Sequence, residues 1–367
     1  MKSKYISAIL ILLIISSLSI NMVLNLFMNT PKNIFEGKNK SEVFETIENI
    51  FKENIPFKSQ LQKNAVFLKY ITGEKKQNNV YIANDTLFKI MEEPNYDLVY
   101  KNTENIIKFA EKYRVKTFAM LIPTSSAIKQ QEIENLYRHN LVNEKILIED
   151  IYTDFSSHVS SVNVYPTLFA NNDKDLYYRT DSNLTSLGAY YVYEQLAKRM
   201  NFPIHGLERF EIKYEDLDFY GDIYKISPYK NIMPDSISTY NFIRFNREFR
   251  ISRTINGETN TYYELYPRES LTDEDIYNLF LGGEAEKITI NVGSPNKNKL
   301  LIYGDRSVMS YLPFLAVNCG EITFVNTNFA SEEICKEIDV KAYDEVLFSF
   351  STDSFSHKNC LEPLNIK

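Results

Sequence analysis

The amino-acid sequence predicts an α/β protein in which helices cover both faces of a parallel sheet, with an N-terminal transmembrane helix before that domain. Two observations predict the domain, and a third predicts the transmembrane helix. From residue 78 onward, apolar strand-like runs alternate with segments of helical spacing, and the last quarter of the chain repeats this alternation. The third observation concerns residues 5–27, which carry no charge and are mostly apolar.

The composition of the 367 residues excludes several classes of protein. Hydrophobic residues make up 44% of the chain, with 11 Gly and 12 Pro, which is typical of a folded domain with a large core. The net charge of −7 argues against a nucleic-acid partner, because that affinity depends on Lys and Arg neutralising phosphates. The three Cys and four His are scattered singly, so we expect neither a metal site nor a cofactor.

Residues 1–31 are predicted to form a membrane anchor. At 1.5 Å per residue, the apolar run 5–27 makes a helix of about 34 Å, which matches a bilayer core of about 30 Å. Lys2 and Lys4 precede the run and place its N-terminal side in the cytoplasm, so the following domain would be extracytoplasmic in a single-pass protein of the cell membrane. The alternative is a cleaved signal peptide and secretion, although no clear small-x-small cleavage site follows the run.

Residues 32–77 are predicted to form a juxtamembrane helical stretch, and residues 78–367 the domain. The stretch is polar and charged, with apolar residues at helical spacing. The first half of the domain reads as alternating strands and helices. The predicted elements are a strand at 80–82, a helix at 102–113, a strand at 116–123, a helix at 144–155, a strand at 161–165 and a helix at 185–200.

The second half of the domain begins with a less periodic region, 201–298, which we interpret as an elaboration on the sheet. Regular alternation then returns, with a strand at 299–303, a helix through Ala316 and strands at 321–325 and 344–350. Ligands of open parallel sheets bind at the carboxyl ends of the strands. Gly304, at the end of its strand, is therefore predicted to lie at a site.

Residues 177–191, which read YYRTDSNLTSLGAYY, resemble a known family signature. It belongs to the DHHW family, relatives of the alginate O-acetyltransferase AlgJ and AlgX proteins, in which Thr-Asp-His-His-Trp-Thr precedes Gly-Ala-Tyr-Tyr. Further similar segments follow in the family's order at 80–87, 121–125, 277–283 and 300–315, so the resemblance covers about residues 78–352. It implies an SGNH-hydrolase-like, flavodoxin-like three-layer fold, and a role in moving or removing acetyl esters on extracytoplasmic polysaccharide.

The residues that carry the family's chemistry are changed in this chain. The family uses a Ser nucleophile in a Gly-Asp-Ser or Lys-Asp-Ser turn and an Asp-x-His pair, with the roles that such a triad requires. Asp181 matches the orienting Asp, but Ser182 and Asn183 stand at the two His positions. Arg306 stands at the Ser position, and Glu284 replaces the Asn of a Gly-Gly-Asn segment that often contributes polar contacts near the site.

The altered residues predict that catalysis by the family route is absent. An amide such as Asn183 has no basic lone pair, and a guanidinium stays protonated, so Arg306 is neither base nor nucleophile. Ser307 is the alternative nucleophile. One further position along a helix turns its side chain by about 100°, which predicts that it points away from the crevice and serves the helix N-terminus instead.

Four residues are predicted to bind a ligand in place of the lost chemistry. Arg306 at a strand end beside Asp181 either forms an ion pair with that carboxylate or faces a ligand carboxylate or phosphate. In the second case tyrosine rings would stack on sugars, although tyrosines at these spacings are also typical of a core. The predicted binding residues are Arg306, Glu284, Tyr178 and Tyr303.

The resemblance and its departures together predict a function. We expect an accessory or glycan-binding factor in cell-envelope polysaccharide O-acetylation, with an envelope polysaccharide or acyl-sugar as ligand and a membrane-bound O-acyltransferase as partner. One alternative is an active acetyl esterase or O-acetyltransferase that uses Ser307. The other is a structural envelope protein. Fold alone does not decide among them.

Overall fold

The computed structural model describes most of the chain beyond residue 56. The described residues are 42, 45, 46, 49, 57–83, 85–155, 158–243, 248–271, 276–293 and 298–366. The predicted anchor at 1–31 and its apolar run 5–27 lie outside them, as does most of the predicted juxtamembrane stretch before residue 57. Among the helices of the described part, none combines the length and the apolar character needed to cross a bilayer.

The chain divides into two compact units. The smaller unit runs to Glu74 and includes Pro228–Lys230, while the larger unit comprises Lys75–Ser227 and Asn231–Lys367. The helices of the described part are α1 (Lys58–Ile71), α2 (Tyr96–Tyr113), α3 (Ser125–Ile128), α4 (Asn135–Arg138), α5 (Glu144–Phe155), α6 (Tyr165–Ala170), α7 (Ser186–Met200), α8 (Asp222–Ile226), α9 (Leu312–Leu315), α10 (Glu332–Lys336) and α11 (Thr352–His357).

The larger unit contains the strands. In chain order they are β1 (Lys76–Gln77), β2 (Val80–Ala83), β3 (Thr86–Lys89), β4 (Lys116–Ile122), β5 (Ser160–Val162), β6 (Phe210–Phe219), β7 (Asp235–Phe242), β8 (Phe249–Ile255), β9 (Glu258–Tyr262), β10 (Lys287–Val292), β11 (Lys299–Gly304), β12 (Glu321–Asn326) and β13 (Glu345–Ser351). Eight of them form the central sheet in the order β5-β4-β13-β11-β12-β10-β8-β9.

The central sheet is mostly parallel. Strands β5, β4, β13, β11 and β12 pair in parallel, and in β4 every residue after Lys116 is buried. Continuous burial is typical of parallel strands that are covered on both faces, and it explains their uninterrupted apolar sequence. Helix α2 packs with α5 and α11, and helix α7 packs with α6 and α9.

The region 201–298 adds antiparallel strands to this sheet. Strand β10 pairs antiparallel with both β12 and β8, and β8 pairs antiparallel with β9. The predicted parallel sheet is therefore found for β5, β4, β13, β11 and β12, whereas β10, β8 and β9 form an antiparallel edge. The remaining pair of the region, β6 and β7, forms a separate antiparallel hairpin.

Several predicted elements differ locally from those observed. The strand predicted at 80–82 belongs to a small antiparallel sheet, β1-β2-β3, outside the central one. The strand predicted at 161–165 ends at Val162, because the Asn163 side chain accepts from the amide of Tyr165 at 3.2 Å just as α6 begins. The helix predicted to run from Gly304 through Ala316 divides into a 3-10 turn and α9, which has Pro313 in its first turn.

The helix that contains the Gly-Ala-Tyr-Tyr segment confirms its prediction. Thr185 caps α7, its hydroxyl accepting from the amide of Gly188 at 3.1 Å. A Cβ at Gly188 would lie 2.1 Å from the carbonyl oxygen of Leu176, so the close approach of that chain requires glycine. The helix thereby holds residues 176–184, which carry the altered family motif, against the domain.

Candidate functional site

A cleft of about 530 Å³ opens at the carboxyl ends of three neighbouring parallel strands. Pro123 follows β4, Asp305 follows β11, and Ser351 ends β13, and all three line the cleft. Asn183 and Arg306 line it as well. This is the edge at which open α/β sheets bind ligands, as the position of Gly304 predicted.

Asp305 holds the ends of two strands together at the floor of the cleft. One carboxylate oxygen accepts from the amide and hydroxyl of Ser307 at 3.0 and 2.5 Å. The other accepts from the amide and hydroxyl of Ser351 at 2.9 and 2.8 Å. Glycine precedes Asp305 because a Cβ at position 304 would lie 2.3 Å from the carbonyl oxygen of Ser349 on β13.

Arg306, at the family's nucleophile position, is held by an acidic side chain. Its Nη1 donates to Glu284 Oε2 at 2.9 Å, and the guanidinium lies 4.6 Å from the centre of the Tyr277 ring. The second oxygen of Glu284 accepts from Asn326 Nδ2 at 3.2 Å. Arg306 thus pairs with Glu284, a carboxylate that neither predicted role of Arg306 included, and no local sequence signal indicated Tyr277 or Asn326 beside it.

Asp181 lies beneath the cleft and is bonded to Asn183, which stands where the resemblance expects a histidine. Its Oδ1 accepts from the amide and the Nδ2 of Asn183 at 2.9 and 2.6 Å. Its Oδ2 accepts from the amide of Asp222 at 3.0 Å. Burial, together with the charge of Asp222, raises the pKa of Asp181 to about 6, and the nearby Arg306 opposes both effects.

Ser182, at the other histidine position of the family, makes polar contacts of its own. Its amide and hydroxyl donate to the two carboxylate oxygens of Asp222 at 2.7 and 2.6 Å. Asp222 begins α8, directly after Gly221. A Cβ at Gly221 would lie 2.2 Å from the Cβ of Asp181, so this glycine allows α8 to approach the site. Asp222 is a cleft residue that no local sequence signal indicated.

Ser307 lies in the cleft, contrary to the expectation that its side chain points away from it. The backbone after Asp305 is a 3-10 turn and not an α-helix, so the α-helical spacing behind that expectation does not apply here. The residue that caps this turn is Asp305 and not Ser307. The Ser307 hydroxyl donates to the Asp305 carboxylate rather than to an imidazole.

The imidazole that lines the cleft does not face a hydroxyl group. His357 is the histidine among the described lining residues, and its Nδ1 lies 2.9 Å from the carbonyl oxygen of Asp353. Its Nε2 lies 3.2 Å from the carbonyl oxygen of Glu93. Both ring nitrogens therefore lie against backbone carbonyl oxygens rather than against a serine hydroxyl. Histidines 139, 158 and 205 are not among the described lining residues.

Two of the predicted binding residues are core residues. Tyr303 is buried against the rings of Phe109 and Phe348, at centroid distances of 5.7 and 5.5 Å. Tyr178 is buried with its ring edge to face against Phe219. Stacking of either ring on a sugar is therefore contradicted by burial.

A second carboxyl group with a shifted pKa supports the end of β4 at the cleft. Glu144 of α5 is buried and accepts from the amide of Thr124 at 2.9 Å and from the Thr124 hydroxyl. Burial raises the pKa of Glu144 to about 7. Thr124 in turn caps α3, its hydroxyl accepting from the amide of Ala127. The described part of the chain contains no group of three or more His, Cys, Asp or Glu side chains that could hold a metal ion.

Comparison with known proteins gives matches among solved structures alone, since no family model and no curated protein matches. A DHHW family protein from Eubacterium siraeum aligns with a TM-score of 0.68 and 20% identity over 79% of this chain and 96% of its own. Bacillus cereus PatB1, solved with a sulfonyl adduct, aligns with a TM-score of 0.65 and 15% identity over 77% and 99%. The O-acetyltransferase domain of Pseudomonas putida AlgJ aligns with a TM-score of 0.46 and 11% identity over 78% and 99%. The first two matches confirm the fold that the resemblance implied.

Proposed function

We propose, from a fold shared with a DHHW family protein, that this chain is a catalytically inactive, membrane-anchored extracytoplasmic protein. In this proposal its cleft binds cell-envelope polysaccharide, and it acts as an accessory factor in polysaccharide O-acetylation beside a membrane-bound O-acyltransferase. The O-acetylation context rests on the resemblance of residues 177–191 to the DHHW signature, and the anchor rests on the apolar run 5–27.

The observation that carries the proposal is how the replaced catalytic positions are used. Arg306 is paired with Glu284, and Asn183 donates two hydrogen bonds to Asp181. A protonated guanidinium cannot attack a carbonyl carbon, and an amide cannot take a proton. The two side chains are therefore fixed as structural groups where the family route needs a nucleophile and a base.

The cleft itself supports a binding function. Its volume lies within the range of small-molecule sites, which is about 300–1,000 Å³. Its lining offers hydrogen-bond donors and acceptors together with apolar surface from Ile90, Met91 and Leu184. Sugars present hydroxyl groups of both kinds beside apolar ring faces, so such a mixed lining suits them. The polar lining includes Lys89, Thr124, Ser182, Asn183, Asp222 and Arg306.

The first experiment tests the absence of catalysis. The full chain in detergent is incubated with p-nitrophenyl acetate and with an acetylated envelope glycan, and separately with a sulfonyl fluoride that labels activated serine hydroxyls. We expect no turnover above buffer and no labelled serine in the peptide map. Turnover that disappears in Ser307→Ala, or a sulfonyl group on Ser307, would reject the inactive assignment.

This experiment also tests the alternative of an active acetyl esterase or O-acetyltransferase that uses Ser307, because Ser307 lines the cleft. Its hydroxyl bonds Asp305, however, and Asp305 already accepts from both the amide and the hydroxyl of Ser351. Those contacts hold the carboxylate in a structural role. The labelling result decides between the two functions without assuming a substrate.

The second experiment tests glycan binding. Envelope polysaccharide fragments are titrated into the full chain by calorimetry, with Arg306→Ala as the cleft variant and Lys336→Ala as the control. Lys336 forms an exposed i,i+4 pair with Glu332 and lies outside the cleft lining. We expect Arg306→Ala to weaken binding severalfold and the control to bind as the parent does. Equal affinities for the parent and both variants, each shown by circular dichroism to be folded at the titration temperature, would remove the cleft from the proposal.

The third experiment tests the partner. The tagged full chain is purified from its native membranes with mild detergent, and co-purifying proteins are identified by mass spectrometry. Recovery of a membrane-bound O-acyltransferase is the expected result. A chain that binds no glycan and recovers no acyltransferase would favour a structural envelope protein.

A further inference from the structure

Helix α1 presents an apolar stripe to solvent, formed by Phe57, Leu61, Leu68 and Ile71. Their side chains are 71%, 54%, 57% and 58% exposed, respectively. At 100° per residue, the four positions fall within an arc of about 80° around the helix axis. A stripe of this width and exposure marks an interaction surface, because large apolar side chains seldom cluster in water without a partner.

The opposite face of α1 already has its packing partners within the smaller unit. Val66 is the buried residue of the helix. The ring of Tyr70 lies 4.8 Å from that of Tyr229, and the Nζ of Lys230 lies 3.6 Å from the centre of the Phe67 ring. These contacts hold the helix by one face and leave the apolar stripe on the other.

The charge of α1 is opposite to that of the whole chain. The helix contains Lys58, Lys63 and Lys69 and no acidic residue, whereas the chain carries a net charge of −7. The lysines lie at about 100–120° to either side of the stripe's centre, so they flank it. Lys69 also pairs with Glu74 at 3.5 Å, an exposed contact of little strength. Lysines beside an apolar stripe are typical of helices that lie in a membrane interface.

We propose that α1 lies in the headgroup region of an anionic bilayer, with the apolar stripe inserted and the lysines on the headgroup phosphates. The inference rests on the membrane anchor of the proposed function. The apolar run ends at residue 27, and the roughly 30 residues that follow reach Lys58 over about 45 Å if helical and about 100 Å if extended. The tether therefore keeps α1 within reach of the bilayer that holds the anchor.

The dimensions of the stripe argue against a second copy of the chain as its occupant. Stable protein interfaces bury about 800 Å² on each partner. Four half-exposed side chains on one helix offer well below that area. Binding to a bilayer requires no minimum contact area, because the strength of insertion grows with each buried apolar group and with each lysine near anionic lipid.

The absence of tryptophan from the chain allows a direct test. Single variants Leu61→Trp and Leu68→Trp place the fluorophore in the stripe. Leu136→Trp is the matched control, since Leu136 is 75% exposed on α4 of the larger unit. Each full-length variant is reconstituted into vesicles of phosphatidylcholine and phosphatidylglycerol, with the anionic lipid as the minor component and brominated acyl chains as quenchers.

We expect the tryptophan emission of Leu61→Trp and Leu68→Trp to lie at shorter wavelength than that of the control, with severalfold stronger quenching by brominated lipid. Both effects should weaken in pure phosphatidylcholine vesicles, because the lysines then lack anionic partners. Flotation of the chain together with the vesicles measures membrane binding through the anchor, independently of the apolar stripe. Chains that float while the stripe positions are quenched no more than the control would overturn the stripe proposal and leave the anchor standing.

Two further outcomes would also overturn the proposal. Chains that fail to float would remove the anchor, and the stripe proposal with it. A shift to shorter wavelength that occurs in detergent without lipid and grows with protein concentration would assign the apolar stripe to a second copy of the chain.

Discussion

Arg306 Nη1 donates to Glu284 Oε2 at 2.9 Å, and both residues stand where the DHHW resemblance expects neutral side chains, Ser and Asn. The two departures therefore compensate each other in charge. A lone guanidinium or a lone carboxylate in this half-buried place would lose solvation without gaining a partner. The paired side chains and Asn326 therefore form a hydrogen-bonded polar cluster at this end of the sheet.

This pairing predicts a measurable coupling. Arg306→Met removes the cation and leaves the Glu284 carboxylate with Asn326 alone, which we expect to lower the free energy of unfolding by about 1.5–3 kcal/mol. The double variant Arg306→Met/Glu284→Gln should recover part of that loss, because the unpaired charge is gone. Urea unfolding of the parent, both single variants and the double variant gives the coupling energy. If the stability loss of the double variant equals the sum of the losses of the two single variants, the charges of Arg306 and Glu284 do not compensate each other.

The control for that cycle is the exposed pair of Lys336 and Glu332, at 2.8 Å. The corresponding Lys336→Met and Glu332→Gln cycle should give a coupling below about 1 kcal/mol, since solvent screens such pairs. A coupling as large as that of the cleft pair would show that burial is not its cause.

Restoring the family residues is predicted to create activity. The variant Arg306→Ser/Asn183→His/Glu284→Asn places a hydroxyl and an imidazole beside Asp181, which already directs Oδ1 at residue 183. We expect hydrolysis of p-nitrophenyl acetate to rise by about 10²-fold over the parent, the lower range for a positioned general base. The same variant with Asp181→Asn is the matched control and should lose most of the gain. A folded triple variant with the parent's rate would contradict the assigned positions.

Glu144 predicts a pH dependence of stability. Burial raises its pKa from the ordinary 4.5 to about 7, so the folded chain binds the proton more tightly than the unfolded chain. The resulting stability is fully present below the unfolded pKa and is lost as the pH rises through the folded pKa, a change of about 3 kcal/mol. Asp181, whose pKa is raised to about 6, acts in the same direction.

The measurement is urea unfolding at pH values of about 5 and about 7.5, which lie on either side of the folded pKa. Glu144→Gln should flatten the fall in stability between these values, because the amide keeps a group of the same shape on Thr124 and does not ionise. Glu149→Gln on the same helix is the control, since its side chain is exposed. An unchanged pH slope in Glu144→Gln would rule out Glu144 as its source.

Gly221 is predicted to be required for the geometry around Asp181. Gly221→Ala adds a Cβ that would lie 2.2 Å from the Asp181 Cβ, which forces α8 and Asp222 away from the site. We expect a loss of about 1–3 kcal/mol in the free energy of unfolding. Gly293→Ala, whose nearest neighbour would be 3.7 Å away, is the control and should change stability little. Similar losses in both variants would contradict the steric explanation.

The sequence determined the local structure and the side chains that stand at the positions marked by the resemblance. The spacing of apolar residues predicted α5 and α7 and the strands β4, β11, β12 and β13 to within a few residues. A helix buried on one face or a strand buried on both faces has a characteristic apolar pattern within its own segment. The identities of residues 183 and 306 alone excluded an imidazole and a serine hydroxyl at those positions.

The tertiary structure decided how the altered residues are used. Glu284 meets Arg306 from 22 residues away, and Asp222 meets Ser182 from 40 residues away, through contacts that no local pattern encodes. Ser307 lines the cleft with its hydroxyl on Asp305, and Tyr303 is in the core because helix α2 covers that face of β11. Side-chain partners across strands depend on packing of the whole sheet, and a local sequence pattern constrains only a residue's own segment.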